Sequence, residues 1–552
     1  MLRSFFKFIG WTIGVIAILI CLLLVYVKIV SSVEVPKHGQ SSLSDLSVVR
    51  PDSTLYLLGN NWFRHSESGL YEVYVEGDPY ERGVAYGRLT HDLVFYQEKV
   101  FTDQLKQLVP SSFYRQFLRA GIGWFNRDLD DYIPEENKLE ICGVSESTSP
   151  EFEFIAPAYQ RIMNYHAAHD IGHALQNMSL VGCTSFGAWA DASEDSSLII
   201  GRNFDFYLGD DFAKDKIIAF FRPTSGYPFM MVTFGGMTGV LSGMNKEGLT
   251  VTLNAAKSEI TTSSATPVSI VAREILQYAS TIEEAYAIAQ QRSTFVAETF
   301  LIGSAKDHMA AIIEKSPTAC ELVYSDKNSI VCTNHFQGAI LGNTPLNIEH
   351  KRTSASVYRY HRVEELIAVN GKLSVTKTAA ILRDQKGLNN TDIGLGNEKA
   401  ICQLVAHHGI IFQPERKRVW ISCAPWQLGK MVCYDLEEVF TQQMTADHEI
   451  YSSSLTIPAD SFIQTTPYSD YLKYSPYRFP FQKHKDVDPD SLVSWNPNSY
   501  QSHLISGDIY FQRKNYSKAA GEYNLGLTKE VATEQEREYM KKKLAECNEY
   551  AK

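Results

Sequence analysis

Val181-Gly182-Cys183-Thr184-Ser185 is the stretch that decides how this sequence is interpreted, and Gly201-Arg202-Asn203-Phe204-Asp205-Phe206 comes after it, beyond a predicted loop. A small, flexible residue precedes a cysteine, a hydroxyl residue follows the cysteine, and an arginine and an aspartate come one hairpin later. A chain that cuts itself before a cysteine, and then uses that cysteine as an N-terminal nucleophile, needs this combination. The pattern therefore predicts an enzyme.

The predicted chemistry of Cys183 follows from the proton affinities of its own groups. A nucleophilic cysteine needs a thiolate, a base and hydrogen-bond donors for the oxyanion. A free α-amino group has a pKa of about 7.7–8, close to the value of about 8.5 for a free thiol. If the bond between Gly182 and Cys183 is cut, the new amine can accept the thiol proton without a histidine. Arg202 would favour the thiolate by charge, and Asp205 would hold the amine or orient the substrate.

The elements predicted after Cys183 come in blocks of strands, then a helix pair, then strands again. Strands are predicted at 198–202, 216–222, 229–234, 249–253, 300–303, 310–314, 321–324, 330–333, 409–413 and 418–423, and helices near 267–279, 281–292 and 353–368. Thr281 and Glu284 form a capping-box pattern at the second helix. Two antiparallel sheets packed face to face, with helices outside, fit this order. The predicted fold class is α+β, a layered sandwich.

The first thirty residues differ from the rest of the chain. Residues 8–27 carry no charge and are apolar over a length that spans a bilayer, and Arg3 and Lys7 precede them. Positive charge before a span favours a cytoplasmic N-terminus and export of the residues after the span. A cleaved signal peptide is the alternative, but the apolar run is longer than a usual signal core and no A-x-A site comes after it. We expect a single-pass membrane protein with its catalytic domain outside the cytoplasm, at a bacterial inner membrane facing the periplasm.

The remaining sequence divides by composition and periodicity. The predicted segments are a transmembrane anchor at 1–30, a linker at 31–69, a mostly helical pro-segment at 70–182, a catalytic domain at 183–450, an irregular connector at 451–500 and a helical extension at 501–552. In the extension, five residues fall where one tetratricopeptide repeat places its packing residues: Gly507, Tyr510, Tyr516, Ala519 and Tyr523. Such arrays usually need three repeats to be stable. A helical hairpin docked on the main domain is the alternative.

Composition excludes several classes of function. The net charge of −11 argues against nucleic acid as a partner. The nine cysteines are odd in number and irregularly spaced, so no disulfide framework is inferred. His166, His169 and His173 lie on one face of the helix before Cys183, a pattern that is compatible with metal binding but more typical of packing or surface residues. The sequence predicts no cofactor and no metal site.

Several motifs, taken in order and spacing, carry a resemblance to a known family. They are Gly77-Asp-Pro-Tyr-Glu-Arg-Gly83, Gly182-Cys-Thr184, Gly201-Arg-Asn-Phe-Asp-Phe206, Asn245-Lys-Glu-Gly-Leu249, Thr252-Leu-Asn254, Cys332-Thr-Asn-His335 and Tyr358-Arg-Tyr-His-Arg362. From about residue 71 to about residue 440 the chain resembles the acyl-coenzyme A:6-aminopenicillanic acid acyltransferase family. That family is a branch of the N-terminal nucleophile (Ntn) hydrolases, related to bile salt hydrolases, penicillin V acylases and acid ceramidase.

The resemblance implies a fold, a maturation step and a set of site residues. The implied fold is a four-layer αββα sandwich, and the implied maturation is an autocatalytic cut that exposes the nucleophile. Carried over to matching positions, the site comprises the nucleophile Cys183, Arg202 and Asp205 in contact with it, Asn254 in the oxyanion hole, Asn334 as the second site asparagine, and Arg359 completing the charge network.

The sequence leaves three hypotheses about function. The leading one is an exported, membrane-anchored amidase or acyltransferase that cleaves a linear amide of a small molecule through an acyl-enzyme. The second is a non-catalytic binding or assembly protein that uses the same scaffold and meets a protein partner at its C-terminal helices. The third is a metal-dependent hydrolase built on the helix face of His166.

Overall fold

Two large β-sheets organise the molecule, and they come from all parts of the chain except its two ends. The computed structural model describes residues 2–175, 182–207, 209–259, 261, 264–441, 448–478 and 487–550. The strands are β1 (Leu55–Leu58), β2 (Asn61–His65), β3 (Tyr71–Gly77), β4 (Thr184–Ala188), β5 (Ile199–Phe204), β6 (Ile217–Pro223), β7 (Phe229–Thr233), β8 (Ser242–Asn245), β9 (Leu249–Ala255), β10 (Glu298–Ser304), β11 (Met309–Lys315), β12 (Cys320–Val323), β13 (Ser329–Cys332), β14 (His408–Gln413), β15 (Arg418–Ser422), β16 (Met431–Asp435) and β17 (Tyr451–Ile457).

The order of the strands shows that the chain crosses between the sheets. Within the described residues the first sheet has ten strands in the order β1-β2-β3-β6-β7-β8-β9-β10-β11-β12, and the second has seven in the order β13-β4-β5-β14-β15-β16-β17. Neighbouring strands run antiparallel, whereas β3 and β6 pair in parallel with Tyr71 opposite Ile217. The sheet that holds β6 therefore begins with strands from the first hundred residues.

Helices make up most of the remaining regular structure. They are α1 (Leu2–Val30), α2 (Pro79–Leu89), α3 (His91–Leu108), α4 (Ser112–Phe125), α5 (Leu129–Tyr132), α6 (Glu135–Ser145), α7 (Ala158–Leu175), α8 (Val268–Tyr278), α9 (Ile282–Gln291), α10 (Pro345–Thr353), α11 (Ser356–Asn370), α12 (Val375–Leu382), α13 (Leu436–Val439), α14 (Thr466–Tyr474), α15 (Pro489–Trp495), α16 (Tyr500–Gln512), α17 (Tyr516–Thr528) and α18 (Glu534–Tyr550). The predicted capping box at the start of α9 is present, with both of its hydrogen bonds formed. The mixed α+β character predicted from the sequence is confirmed.

Strand β6 shows why the central strands are apolar throughout. Successive side chains of a strand point to opposite faces, and here each face meets a different core. Ile217 and Phe221 belong to a cluster that includes α2, α6, α7 and α8, whereas Ile218 and Phe220 belong to a cluster with side chains of the second sheet, among them Ile410 of β14. A strand buried on both faces reads as a continuous apolar run rather than an alternating one.

The second sheet is covered on its other face by α11 and α12. Val363 of α11 and Ile381 of α12 share a buried cluster with Phe186 of β4 and Ile411 of β14. This face holds the helix that carries Arg359. The catalytic candidates described below therefore lie where α11, β4 and the first sheet meet.

The helix α1 is long and apolar enough to cross a membrane over residues 5–30. A signal sequence near an N-terminus meets the same criteria of length and composition. Most of the described side chains of α1 are exposed, and the helix also contacts α4.

The structure differs from the sequence expectation in two ranges. Strands β1 and β2 lie in 31–69, where a linker is expected, and they add to the edge of the first sheet because Trp62 and Phe63 are both buried there. In 451–500, where an irregular connector is expected, β17 forms the edge of the second sheet and α14 and α15 follow it. Strand β17 is half exposed, so it lacks the apolar alternation that identifies a strand.

The last three helices pack on one another and on the main body. A Cβ on Gly507 of α16 would lie 2.7 Å from the ring of Tyr523 of α17, so glycine permits the close approach of these two helices. The Asn397 amide donates to the Glu530 carbonyl at 2.8 Å, and Lys399 forms an ion pair with the Glu530 side chain. The extension thus contacts a loop that also reaches the candidate site.

Candidate functional site around Cys183

Cys183 immediately precedes β4 and is buried, with 1% of its surface exposed. The alternation of the strand sends the next two side chains in opposite directions. Thr184 accepts a hydrogen bond from Arg359 Nε of α11 at 3.2 Å, and Ser185 donates to Asn254 Oδ1 of the first sheet at 2.9 Å. The start of β4 is therefore the point at which α11 and both sheets converge.

Arg202 approaches the thiol from the neighbouring strand. On β5 it lies opposite Ser185 in the antiparallel register, and its Nη2 atom lies 3.8 Å from Cys183 Sγ. The guanidinium is fully buried and also donates to the carbonyl oxygens of Leu241 and Leu253. Burial raises the pKa of the Cys183 thiol to about 11, although the charge of Arg202 acts to lower that pKa. The thiol is therefore protonated at neutral pH.

Asp205 has a buried carboxyl group, and its backbone carbonyl oxygen lies 3.8 Å from Cys183 Sγ. It follows the end of β5, and neither of its carboxylate oxygens has a hydrogen-bond donor among the residues that the structure describes. Burial raises its pKa to about 7, while the charges of Arg359 and Arg202 act in the opposite direction. A carboxyl with a pKa near the working pH is suited to general acid–base catalysis.

Arg359 connects the cysteine end of β4 to the loop after β13. Besides Thr184, its guanidinium donates to Asn334 Oδ1 and to the Glu398 carbonyl oxygen, the latter at 2.8 Å. Three donors in the fixed geometry of a guanidinium thus hold three separate chain segments together. Its charge also acts on Asp205 and Cys183.

The two asparagines implied as site residues are close to β4, but their amides are already engaged. Asn254 Nδ2 donates to the Cys332 carbonyl oxygen at 2.8 Å, and Asn334 Nδ2 donates to the Ala255 carbonyl oxygen at 3.0 Å. These amides stabilise the junction between β9 and the end of β13. All six residues of the candidate site lie around the start of β4, with Asn254 joined to it through Ser185.

Two polar residues that contact the candidate site, Gln403 and Ser242, were not identified from the sequence. Gln403 Nε2 donates to the Gly182 carbonyl oxygen at 2.7 Å, and Ser242 Oγ accepts a hydrogen bond from Arg202. Ser242 also contacts His408 Nε2 at 2.9 Å. Neither residue lies in a motif near Cys183, and both reach the site only because the sheets bring distant segments together.

Of the three histidines on the helix face considered for metal binding, the structure describes the side chain of His166. The side chains of His169 and His173 lie outside the described residues. His166 uses both ring nitrogens, since Nε2 accepts from the Thr238 amide at 3.0 Å and Nδ1 then donates to the Ile162 carbonyl oxygen at 2.9 Å. Burial lowers its pKa to about 4. Within the described ranges, no group of three or more His, Cys, Asp or Glu side chains is placed to hold a metal ion.

An apolar, aromatic pocket lies beside Arg202. It is lined by Gln97, Phe101, Tyr165, Phe204, Phe206, Phe212, Phe234, Gly235, Met237 and Leu241. The Arg202 guanidinium stacks on Phe204 at 4.4 Å from the ring centre, so one wall of the pocket is in direct contact with a residue that approaches the thiol. Its lining comes from α3 and α7 as well as from segments after Cys183.

Comparison with known proteins gives a family match over the centre of the chain. The model of the acyl-coenzyme A:6-aminopenicillanic acid acyl-transferase family matches residues 192–424, a range that includes Arg202, Asp205, Asn254, Asn334 and Arg359 and begins after Cys183. The resemblance inferred from the sequence motifs is therefore confirmed.

Individual relatives match over part of their length. An uncharacterised protein of Archaeoglobus fulgidus is 22% identical over 278 residues, covering 47% of this chain and 46% of the relative. The N-acylethanolamine-hydrolyzing acid amidase of Caenorhabditis elegans is 25% identical over 264 residues, covering 46% of this chain and 69% of that protein. The chain thus spans less than half the length of the first of these relatives.

Two solved structures are also similar. An N-acylethanolamine-hydrolyzing acid amidase ortholog of Caenorhabditis elegans is 19% identical with a TM-score of 0.30, covering 42% of this chain and 93% of that one. A mutant of the conjugated bile acid hydrolase of Clostridium perfringens is 12% identical with a TM-score of 0.32, covering 49% of this chain and 95% of that one.

Proposed function

We propose that this protein is a cysteine Ntn amidohydrolase or acyltransferase that cuts itself between Gly182 and Cys183 and then attacks a linear amide with Cys183. The observation that carries the proposal is the set of groups at the start of β4. Cys183 directly follows a glycine, and a buried guanidinium and a buried carboxyl, those of Arg202 and Asp205, act on its thiol. The family match over residues 192–424 supports amide chemistry.

The cut requires a base, because a thiol with a pKa of about 11 holds its proton at neutral pH. We assign that role to Asp205, because the thiol lies 3.8 Å from its backbone carbonyl oxygen and neither of its carboxylate oxygens has a donor among the described residues. Its pKa of about 7 leaves a large ionised fraction at neutral pH. Once Sγ is deprotonated, it adds to the Gly182 carbonyl carbon, since the two atoms belong to adjacent residues and close a small ring. The peptide nitrogen then takes the proton from Asp205 and leaves as the new α-amine of Cys183, and water hydrolyses the Gly182 thioester to free the thiol.

After the cut, the α-amine takes over as the base of the mature enzyme. Its pKa of about 7.7–8 lets it accept the thiol proton during attack on the substrate carbonyl. Arg202 supplies positive charge beside the thiolate, and Arg359 anchors the strand next to it through Thr184. Water or an amine then takes the acyl group from sulfur, giving hydrolysis or acyl transfer.

The aromatic pocket supports an apolar acyl group in the small-molecule substrate. Phe204, Phe212 and Phe234 contribute to its walls, and burying apolar area against such walls is worth about 25 cal/mol per Å². An acyl chain placed there has its carbonyl end toward Arg202 and Cys183.

The proposal also includes the order of the sheet and helix layers and the cellular location of the catalytic domain. We place the helices and sheets in the order of a four-layer αββα sandwich, supported by side chains of both sheets in one core and by helices on the other face of each. Residues 1–30 serve as a retained membrane anchor, with 183–450 catalytic and outside the cytoplasm, in a bacterial periplasm. The basic residues Arg3 and Lys7, which precede the uncharged apolar run at 8–27, support this orientation.

The test is to look for a chain that begins at Cys183. The full-length protein is expressed and studied by intact mass and N-terminal sequencing, and amide hydrolysis is followed with N-acyl substrates of graded acyl length. We expect the wild-type protein to be cut and active, and Cys183→Ala to be neither. Cys433→Ala, which changes another buried cysteine on β16, is the matched control and is cut normally. A Cys183→Ala protein that is cut and active refutes the proposal.

A further inference from the structure

The peptide group that the proposed reaction breaks is held on both sides. The Gly182 amide donates to the Asp205 carbonyl oxygen at 3.0 Å, and the Gly182 carbonyl oxygen accepts from Gln403 Nε2 at 2.7 Å. Both are within the normal range for such bonds. This carbonyl is the one that Cys183 must attack, so its donor contacts a reacting atom.

Gln403 is fixed in this position by its surroundings. Its residue is 3% exposed, and its backbone carbonyl oxygen accepts from Arg478 Nη1 at 2.9 Å. A Cβ on residue 182 would overlap the Gln403 amide. Glycine is thus required at position 182 because a side chain there would displace this donor from the carbonyl oxygen. This requirement is separate from the flexibility that glycine gives the backbone.

Asn254, implied as an oxyanion-hole donor, and Asn334, implied as the second site asparagine, do not serve this carbonyl. Asn254 Nδ2 donates to the Cys332 carbonyl oxygen, and Asn334 Nδ2 donates to the Ala255 carbonyl oxygen. Among the described side chains, Gln403 is the one whose hydrogen bond to the Gly182 carbonyl oxygen is observed.

We propose that Gln403 is a catalytic residue of self-cleavage, whose amide stabilises the oxyanion formed at the Gly182 carbonyl oxygen. The inference rests on the proposed cut between Gly182 and Cys183. Negative charge develops on an atom that already accepts from Nε2, so the donor needs no reorganisation in the transition state.

In the proposed self-cleavage each bond that breaks is matched by a bond that forms, and the Sγ proton ends on the new α-amine. The Sγ proton passes to Asp205 as the Sγ–C bond forms and the carbonyl electrons move to oxygen, where Gln403 Nε2 stabilises them. The carbonyl reforms as the C–N bond breaks, and the proton on Asp205 passes to the departing nitrogen of Cys183. Water then hydrolyses the thioester, which leaves the Gly182 carboxyl group and the free thiol.

The experiment is a time course of cleavage of the newly synthesised full-length protein, followed by intact mass. We expect Gln403→Ala and the nearly isosteric Gln403→Glu to be cut about 100-fold more slowly than wild type, the loss typical of removing one oxyanion donor. Gln427→Ala is the matched control because Gln427 is also fully buried, and we expect it to be cut at the wild-type rate. Thermal unfolding of all variants identifies any that fail to fold, and Gln403→Glu keeps the side-chain volume.

A double-variant cycle separates this role from a general structural one. Gly182→Ala displaces the same amide, so Gly182→Ala and Gln403→Ala should be strongly non-additive in their effect on the cleavage rate. Additive effects, or a folded Gln403→Glu protein cut at the wild-type rate, overturn the role of Gln403 while the cut itself stands. A wild-type protein that is never cut overturns the proposed function instead.

Discussion

Replacing Asp205 by asparagine should stabilise the uncut protein and abolish its cleavage. Asparagine keeps the shape of the side chain but removes the charge. The pKa of Asp205 rises from its ordinary value of 3.8 to about 7 in the folded chain. Each pKa unit corresponds to about 1.4 kcal/mol, so the ionised carboxylate costs the fold about 4 kcal/mol above pH 7.

The pH dependence follows from the direction of that pKa change. Below pH 3.8 the carboxyl is protonated in both the folded and unfolded chain, so it contributes no difference in stability. Between pH 3.8 and about pH 7 the unfolded chain ionises first, and the folded state loses about 1.4 kcal/mol per pH unit. Above about pH 7 the loss is complete and constant. The stabilisation by Asp205→Asn should therefore grow from about pH 4 to about pH 7 and then level off.

The assay is urea unfolding in detergent at several pH values between about 4 and 8, which span this change. Cys183→Ala is the background, so that neither protein is cut, and it is compared with the double variant Cys183→Ala/Asp205→Asn. The groups that act on Asp205 are Arg359, Arg202 and Arg478, and all are retained in both proteins. If the difference in unfolding free energy has the opposite sign, or does not change with pH, Asp205 is held as a stabilising ion-pair partner and the reasoning fails.

Two further predictions concern the rate of cleavage. The wild-type cleavage rate should rise with pH and level off above about pH 7, because Asp205 must be ionised to accept the thiol proton. A mass-spectrometric time course of cleavage from about pH 5.5 to 8.5 measures this rate, and a flat pH profile contradicts the assignment of Asp205 as the base. Arg359→Lys should slow cleavage at least about 10-fold, because one ammonium group cannot reproduce a guanidinium that reaches Thr184 and Asn334 together. The same time course measures the cleavage rate, and a wild-type rate shows that positive charge alone suffices.

The part of the site that could be predicted from the sequence is the part that local chain geometry brings together. Cys183, Arg202 and Asp205 lie on or beside two adjacent antiparallel strands, so a short hairpin is enough to juxtapose them. Gln403 contacts Gly182 across 221 residues, and one sequence carries no local pattern for such a contact. The bonds made by the Asn254 and Asn334 amides depend on the packing of β9 against the end of β13 in the same way.

The fold shows the same division between local and distant causes. The strands after Cys183 were predictable because they are apolar runs between turn residues, and β6 is buried on both faces. Strands β1 and β2 were not, because Asn61-Trp-Phe-Arg-His65 mixes charged and aromatic residues and becomes a strand by pairing with β3. Strand β17 is an edge strand with polar, half-exposed side chains. It is recognised as a strand by its pairing with β16 rather than by its sequence.

The position of β3 has a consequence for the product of the proposed cut. This strand precedes Gly182 in the chain, yet its seven residues pair with β6 inside the first sheet. Glu140 of α6 also forms buried ion pairs with Arg82 from before the cut and Arg273 from after it. Maturation would therefore create a two-subunit protein whose subunit interface is the interior of a sheet. Dilution or washing would not release the catalytic subunit, and neither subunit would be expected to refold without the other.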